Sequence, residues 1–408
     1  VPVYLDHAAT TPISASALAA LTSELSRSGN PSSLHGSGRR ARTVVEDSRE
    51  TLAAALDCHP SEVIFTSGGT EGDNLAVKGL YWSRRDADPR RTRILCSPVE
   101  HHAVLDTVEW LEKHEGAVVS WLPVDSDGVV SLDAVRRELE EHGGETALLT
   151  VMWANNEVGA IQDIPALVEL AHAHGVPVHS DAVQAFGTVP VSFRESGLDT
   201  MAVSGHKIGG PVGVGALVVG RAVKLTPVLH GGGQERDIRS GTLDKPGIAA
   251  FAAAARETTE NLQEEAARLR TLRDYLITAV ERTVPDAVLR GPRDDEAGTR
   301  RLPGNAHFTF PGCEGDSLLF LLDLAGVESS TGSACTAGVP RPSHVLLAMG
   351  LSETEARGAQ RFSLGHTSTA DDVDALIDAL PEAYERAKKA GMAGSESSIR
   401  TAGTGFFS

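Results

Sequence analysis

At 408 residues, 41% of them hydrophobic and 23% charged, the chain has the composition of a globular protein with material for two domains and a sizeable core. Its 37 Lys and Arg against 55 Asp and Glu give a formal charge of −18, which argues against bulk attraction to nucleic-acid phosphates or anionic membranes. No apolar run reaches the ~18 residues of a membrane span, and the stretch VPVYLDHAATT lacks a basic-then-apolar pattern, so neither a span nor an export signal is expected.

Four cysteines, Cys58, Cys96, Cys313 and Cys335, are scattered without a CxxC pair or a disulfide ladder, a usage that fits a reducing cytoplasm. The 15 histidines include no HExxH motif and no Cys/His quartet, so no structural metal is expected. In chain order, apolar β-branched runs at 62–66, 93–96, 117–122, 147–152, 176–179, 200–203 and 215–219 alternate with amphipathic stretches such as 132–142 and 164–174. That alternation predicts an α/β fold: a mainly parallel sheet wrapped by helices. From about Pro246 to Val284 the texture becomes rich in Ala, Glu, Arg and Leu, with Leu262, Ala266, Leu269, Leu272, Leu276 and Ala279 at helical spacing. A long helix broken once is expected there, leading into a second unit that mixes a strand at 306–310 with helices at 316–324 and 370–388. The last stretch, 390–408, has few hydrophobic residues and is expected to be unordered.

In open α/β sheets ligands sit beyond the carboxyl ends of the strands, so the polar residues after each strand matter most. After 62–66 comes Ser67-Gly68-Gly69-Thr70-Glu71-Gly72-Asp73-Asn74, a glycine-rich entry to a helix whose free amides suit a phosphate, although an ordinary strand-to-helix turn reads the same way. After 176–179 come Ser180-Asp181-Ala182-Val183-Gln184, and after 200–203 come Ser204-Gly205-His206-Lys207. An acid able to keep a pyridine nitrogen protonated, followed one strand later by a lysine able to form a Schiff base, is the pairing a pyridoxal-phosphate (PLP) site needs. Taken alone, Asp181 also reads as a helix cap and Lys207 as a surface lysine. Cys335 lies in Ser329-Ser330-Thr331-Gly332-Ser333-Ala334-Cys335-Thr336-Ala337-Gly338, where small polar neighbours suggest an exposed thiol on a loop rather than a packed one.

The segments YLDHAATTP, GNPSSLHGSGRRAR, FTSGGTEGDNLAVKG, VEHHAVLD, NNEVGAIQDI, HSDAVQA, SGHKIGG, RSGT, SSTGSACTAG and RFSLG, taken together and in this order, resemble the NifS/IscS-type cysteine desulfurases, fold-type I PLP enzymes. The resemblance runs from Tyr4 to about Leu380. It implies a large PLP-binding domain with a mainly parallel seven-stranded sheet (15–257), a smaller α+β C-terminal domain carrying the catalytic cysteine loop (258–389), an N-terminal segment (1–14) packed on the small domain and a tail (390–408).

It further implies that Lys207 bonds the cofactor, Asp181 pairs with the pyridine nitrogen, and Gln184 and Asn156 bond the ring hydroxyl or nearby substrate atoms. His101 would stack on the ring and shuttle protons. Gly69, Thr70, Ser204 and His206 would hold the phosphate, joined by Thr242 of a second subunit in a homodimer. Arg361, helped by Asn30, would take the carboxylate of L-cysteine, and Cys335 would receive its sulfur and pass it to an acceptor protein serving iron–sulfur assembly, tRNA thiolation or another carrier pathway. The length of the segment around Cys335 is closer to the IscS-like group than to the SufS-like group. Two departures stand out. Gly69 replaces a common alanine, read here as a harmless loss of one methyl, and His366-Thr367 follows SLG where relatives often carry arginine and an aromatic residue. A selenocysteine lyase or C–S lyase with the same cofactor shell, and an inactive sulfur-carrier scaffold, are the alternatives that the motifs leave standing.

Overall fold

The computed structural model describes residues 2–295, 297–333 and 342–402, with the backbone alone for 391–402. Strands are numbered β1 (Val3–Tyr4), β2 (Val63–Thr66), β3 (Arg93–Cys96), β4 (Val118–Trp121), β5 (Thr146–Thr150), β6 (Val178–Asp181), β7 (Thr200–Ser204), β8 (Gly215–Val219), β9 (Val288–Arg290), β10 (Asn305–Thr309), β11 (Val327–Glu328) and β12 (Ala359–Ser363). β2 to β8 form one seven-stranded sheet in the order β2-β8-β7-β6-β5-β3-β4. Only β8 runs against its neighbours, pairing antiparallel with both β2 and β7. The carboxyl ends of β2, β3, β5, β6 and β7 therefore open on one edge, where the sequence reading looked for ligand-binding residues.

The central strands are buried along their whole length, as in a sheet covered on both faces. Their core gathers Phe65, Leu95, Leu149, Val178, Met201 and Val203, and helices Gly36–Ala55 and Lys245–Glu260 add Val45, Leu52, Ile248 and Phe251. The long helical stretch expected from Pro246 is two helices, Lys245–Glu260 and Leu262–Thr283, that meet at Asn261. A second core lies around a three-stranded antiparallel sheet ordered β12-β10-β9 and contains Phe308, Phe310, Phe362, Leu276, Leu318 and Leu376.

Leu5 belongs to that second core, and β1 pairs in parallel with β11, so the first strand of the chain is built into its C-terminal part. The last helix is Ala370–Ala402. Its backbone thus runs through part of the stretch expected to lack order: lengthening an existing helix needs no new nucleus, and residues 390–402 contain no proline. Residues 403–408 lie outside the described residues. Among the described residues no helix is long and apolar enough to cross a membrane.

Candidate active site

A cavity of about 420 Å³ opens at the carboxyl edge of the large sheet, within the ordinary range for small-molecule and cofactor pockets. Ten of the residues singled out in the sequence line it: Gly69, Thr70, His101, Asn156, Asp181, Gln184, Ser204, His206, Lys207 and Arg361. They come from five strand ends and from β12 of the second sheet. Ser330, Gly332 and Ser333 form one wall, leading toward Cys335, which lies outside the described residues. Asn30 and Thr242 do not reach this cavity from their own chain: both are exposed, and the Asn30 side chain accepts a hydrogen bond from the Ser32 amide at 2.9 Å.

Helix Gly69–Ala87 begins at Gly68, which makes no side-chain cap and has φ +148°, a backbone setting that favours glycine. Its first amides are therefore left for a ligand. Glu71 keeps its carboxylate off that spot by accepting the Ser67 amide at 2.6 Å and Arg239 Nε at 2.7 Å. Gly69 is less permissive than the sequence suggested, since a Cβ there would stand 2.7 Å from Cγ2 of Val183. The missing methyl is matched to Val183 in this chain, so the departure from alanine is a packing pair rather than a neutral change.

Asp181 ends β6, and its Oδ1 accepts the Val183 amide at 2.8 Å, which leaves the second oxygen toward the cavity. Burial, reinforced by Asp73, raises its pKa from 3.8 to about 7. Burial likewise pushes the carboxyls of Asp73 and Glu100 well above their ordinary values. Asp73 meets His179 at 3.2 Å, and Glu100 accepts the Met152 amide with one oxygen while its other has no partner among the described residues. Buried acids so close together cannot all ionise, so part of the cluster stays protonated.

Lys207 follows β7 in a tight turn, and its ammonium donates to the carbonyls of Ala8 and Ala9, the latter at 2.8 Å. Burial first, then the Arg361 cation, lowers its pKa from 10.5 to about 8. Gln184 donates to Ala8 O at 2.9 Å, and its amide oxygen has no hydrogen bond among the described residues. His101 caps helix His102–Glu115 by accepting the Ala103 amide at its Nδ1, which aims the ring at the cavity wall, and loss of water there lowers its pKa. His206 bonds Thr10, and burial followed by the nearby Lys207 charge lowers it to about 4.

Arg361 points into the cavity from β12. It donates to Asn156 O at 2.8 Å and to Asp6 Oδ1 at 2.7 Å, while its Nε is buried without a partner among the described residues. Asp6, Asp73, Glu100, Glu157 and His344 were not singled out in the sequence. The first four lie inside quoted motifs (YLDHAATTP, FTSGGTEGDN, VEHHAVLD, NNEVGA), where a buried acid beside the chosen residues was the available signal.

The aminotransferase class-V family model matches residues 3–376. The chain belongs to the class-V aminotransferase family. Within it, the IscS-like cysteine desulfurase of Mycobacterium tuberculosis is 56% identical over 390 residues, covering 96% of this chain and 98% of that one. A solved structure described as a NifS-like protein superposes with a TM-score of 0.85 at 35% identity, covering 94% of this chain and 99% of its own. Another, described as SspA in complex with cysteine, has a TM-score of 0.74 at 32% identity, covering 88% of this chain and 98% of its own. These similarities place the chain among the NifS/IscS-type members of the class-V aminotransferase family, and the fold-type I architecture described above is theirs.

Proposed function

We propose that this protein is a PLP-dependent cysteine desulfurase that converts L-cysteine to L-alanine and transfers the sulfur to Cys335. The observation that carries this reading is the meeting, in one cavity, of a buried carboxyl at the end of β6, a lysine of lowered pKa after β7 and a guanidinium with a buried, unspent donor. The residues present fit PLP. Asp181 would face the ring nitrogen, the amides of Gly69 and Thr70 with Ser204 and His206 would hold the phosphate, and His101 would cover the ring. Gln184 and Asn156 would bond the ring hydroxyl side, and Lys207 would bond the aldehyde. Bound there, PLP supplies an electron sink for the Cα–H bond of an amino acid.

The chain's own groups account for the rest. Arg361 takes the substrate carboxylate through paired N–H donors. Lys207, half neutral near pH 8, is suited to carry a proton at Nζ. His101, whose pKa burial lowers, has its Nδ1 occupied as acceptor of a backbone amide, so its neutral ring carries the proton on Nε2, from which it can donate. The Cys335 thiolate attacks the cysteine sulfur. The C–S bond breaks, an S–S bond forms, and the carbon skeleton leaves as alanine after protonation.

A homodimer in which Thr242 completes the partner's phosphate site, transfer of sulfur to an acceptor protein, and a cytoplasmic setting belong to the same proposal. So does the division into a large unit (15–257) and a small unit (258–389). Purified protein loaded with PLP and given L-cysteine with a reductant should yield alanine and sulfide in equal amounts. Yellow protein that makes neither would overturn the reading in favour of another C–S lyase substrate.

A further inference from the structure

We propose that Asp6 is a positioning residue for the substrate-carboxylate subsite, holding the guanidinium of Arg361 in the orientation that an incoming α-carboxylate meets. This rests on the reading of Arg361 given under the proposed function. Asp6 sits beside β12 because the chain at residues 5–7 pairs with it: Ser363 N donates to Leu5 O at 2.7 Å and His7 N donates to Ser363 O at 3.2 Å. Ala8 N donates to Ser363 Oγ at 2.9 Å, and Tyr4 Oη donates to the carbonyls of Asp6 and Thr10. The carboxylate is thereby fixed from both sides, two strand positions from the arginine it binds.

Arg361 is 4% exposed, with one terminal nitrogen on Asp6 and the other on the carbonyl of Asn156. Its Nε–H is buried with nothing to accept it among the described residues. A buried donor left without an acceptor is unfavourable, so the described neighbours leave the arginine incompletely satisfied. Arg361 lines the cavity, and each of its terminal nitrogens still has a second hydrogen to give to a planar acceptor. Were the Asp6 contact only a stitch between segments, the arginine would not line the cavity with a donor unspent. An ion pair at such depth is also weak grounds for net stabilisation.

Asp6 does a second thing. It cancels the Arg361 charge, so recognition depends on the geometry of a planar acceptor more than on attraction to any anion. The carbonyls of Ala8 and Ala9 hold Lys207, so residues 6–9 position both Arg361 and Lys207.

The test uses full-length, PLP-loaded protein and calorimetric titration with L-alanine and with L-alaninamide, which lacks the carboxylate. Wild type should bind L-alanine and discriminate against the amide. Asp6→Ala should weaken L-alanine binding and raise KM for L-cysteine by about tenfold with kcat within about twofold, the pattern of lost ground-state positioning. Asp6→Asn, which keeps an oxygen for the guanidinium, should return both to within about threefold of wild type. Should Asp6→Ala fail to fold, Asp6→Ser, too short to reach Arg361, takes its place with the same expected loss. Unchanged or tighter L-alanine binding in the Ala or Ser variant overturns the proposal, as does a loss that falls on kcat alone. Loss of cofactor absorbance and of the melting transition without rescue by Asn also overturns it, because Asp6 would then be only structural. If wild type itself does not tell L-alanine from its amide, the Arg361 reading falls together with this one. If wild type discriminates and the variants do so equally well, this one falls alone.

Discussion

The two residues to which the proposed chemistry assigns the cofactor's aldehyde and ring nitrogen are both held away from their ordinary protonation. Lys207 is lowered to about 8 by burial and by Arg361, so its neutral fraction grows as the pH rises through that value. The rate at which cofactor-free protein captures PLP should therefore climb between about pH 6.5 and about pH 9 with a midpoint near 8, followed by absorbance, whereas an unperturbed lysine would still be climbing at the upper end. Asp181 moves the other way. Its carboxyl, raised from 3.8 to about 7 by burial and by Asp73, adds stability below its unfolded value and loses that stability as the pH climbs through about 7. At neutral pH the cofactor-free protein thus pushes charge into a buried acid cluster. Asp181→Asn should raise the stability of that form by on the order of 1–3 kcal/mol at about pH 8, with the gain falling to roughly a third near pH 5 and vanishing only below the ordinary carboxylate value of 3.8, while PLP affinity drops steeply. Thermal melts at the two pH values, paired with PLP titration, check this. A variant that melts lower than wild type at both would show that Asp181 is a packing residue.

At the scale of elements, the site depends on how helix Gly69–Ala87 and the turn after β6 share space. A methyl on Gly69 would press on Val183 at 2.7 Å, and overpacking of this kind typically costs ~1–3 kcal/mol. Gly69→Ala should reduce PLP affinity measurably, and Gly69→Ala combined with Val183→Ala should recover most of the loss, a coupling that single substitutions cannot reproduce. The β2 edge of the sheet is held by charge: Arg49 on helix Gly36–Ala55 donates twice to Glu235 at 2.8 Å, and Glu235 also accepts the Phe65 amide of β2. Glu235→Ala leaves that arginine with only the more exposed Glu46 carboxylate at 3.1 Å and the Val63 carbonyl at 2.8 Å, at a cost near the low end of about 3–5 kcal/mol readable in denaturant melts. The seven strand positions were legible because buried β-branched runs between turn residues have few other readings, and one break in the long helical stretch was expected, though its place at Asn261 was not. The Gly69–Val183 match and the Arg49–Glu235 pair were not legible. Each joins residues more than 100 positions apart, and no local pattern encodes such a distance.

For the molecule as a whole, the cavity draws residues from the first ten positions to Arg361, because β1 pairs with β11 and residues 5–7 pair with β12. The sequence pointed to the lysine, the acid and the arginine by motif. It did not point to the part played by residues 6–9, whose polar contacts are mostly backbone carbonyls and whose single carboxylate looks unremarkable in a list of acids. Thr242 lies exposed in its own chain, three positions after Arg239, which is tied to Glu71. If it completes a partner's phosphate site, the protein should have twice the chain mass by light scattering. Thr242→Ala should weaken PLP binding by about tenfold, as for a hydrogen bond to a charged group, and mixing Thr242→Ala with Lys207→Ala subunits should restore part of the activity.

The most direct measurement of the central claim is a single turnover without reductant: PLP-loaded protein is mixed with less than one equivalent of L-cysteine, alanine is quantified, and the peptides are mapped by mass spectrometry. The expected result is one alanine per cysteine consumed and the mass of one added sulfur atom on the Cys335 peptide, with both absent in Lys207→Ala and no added sulfur in Cys335→Ala. Alanine formed at full yield by Cys335→Ala, or sulfur found free or on Cys58, Cys96 or Cys313 instead, would contradict it.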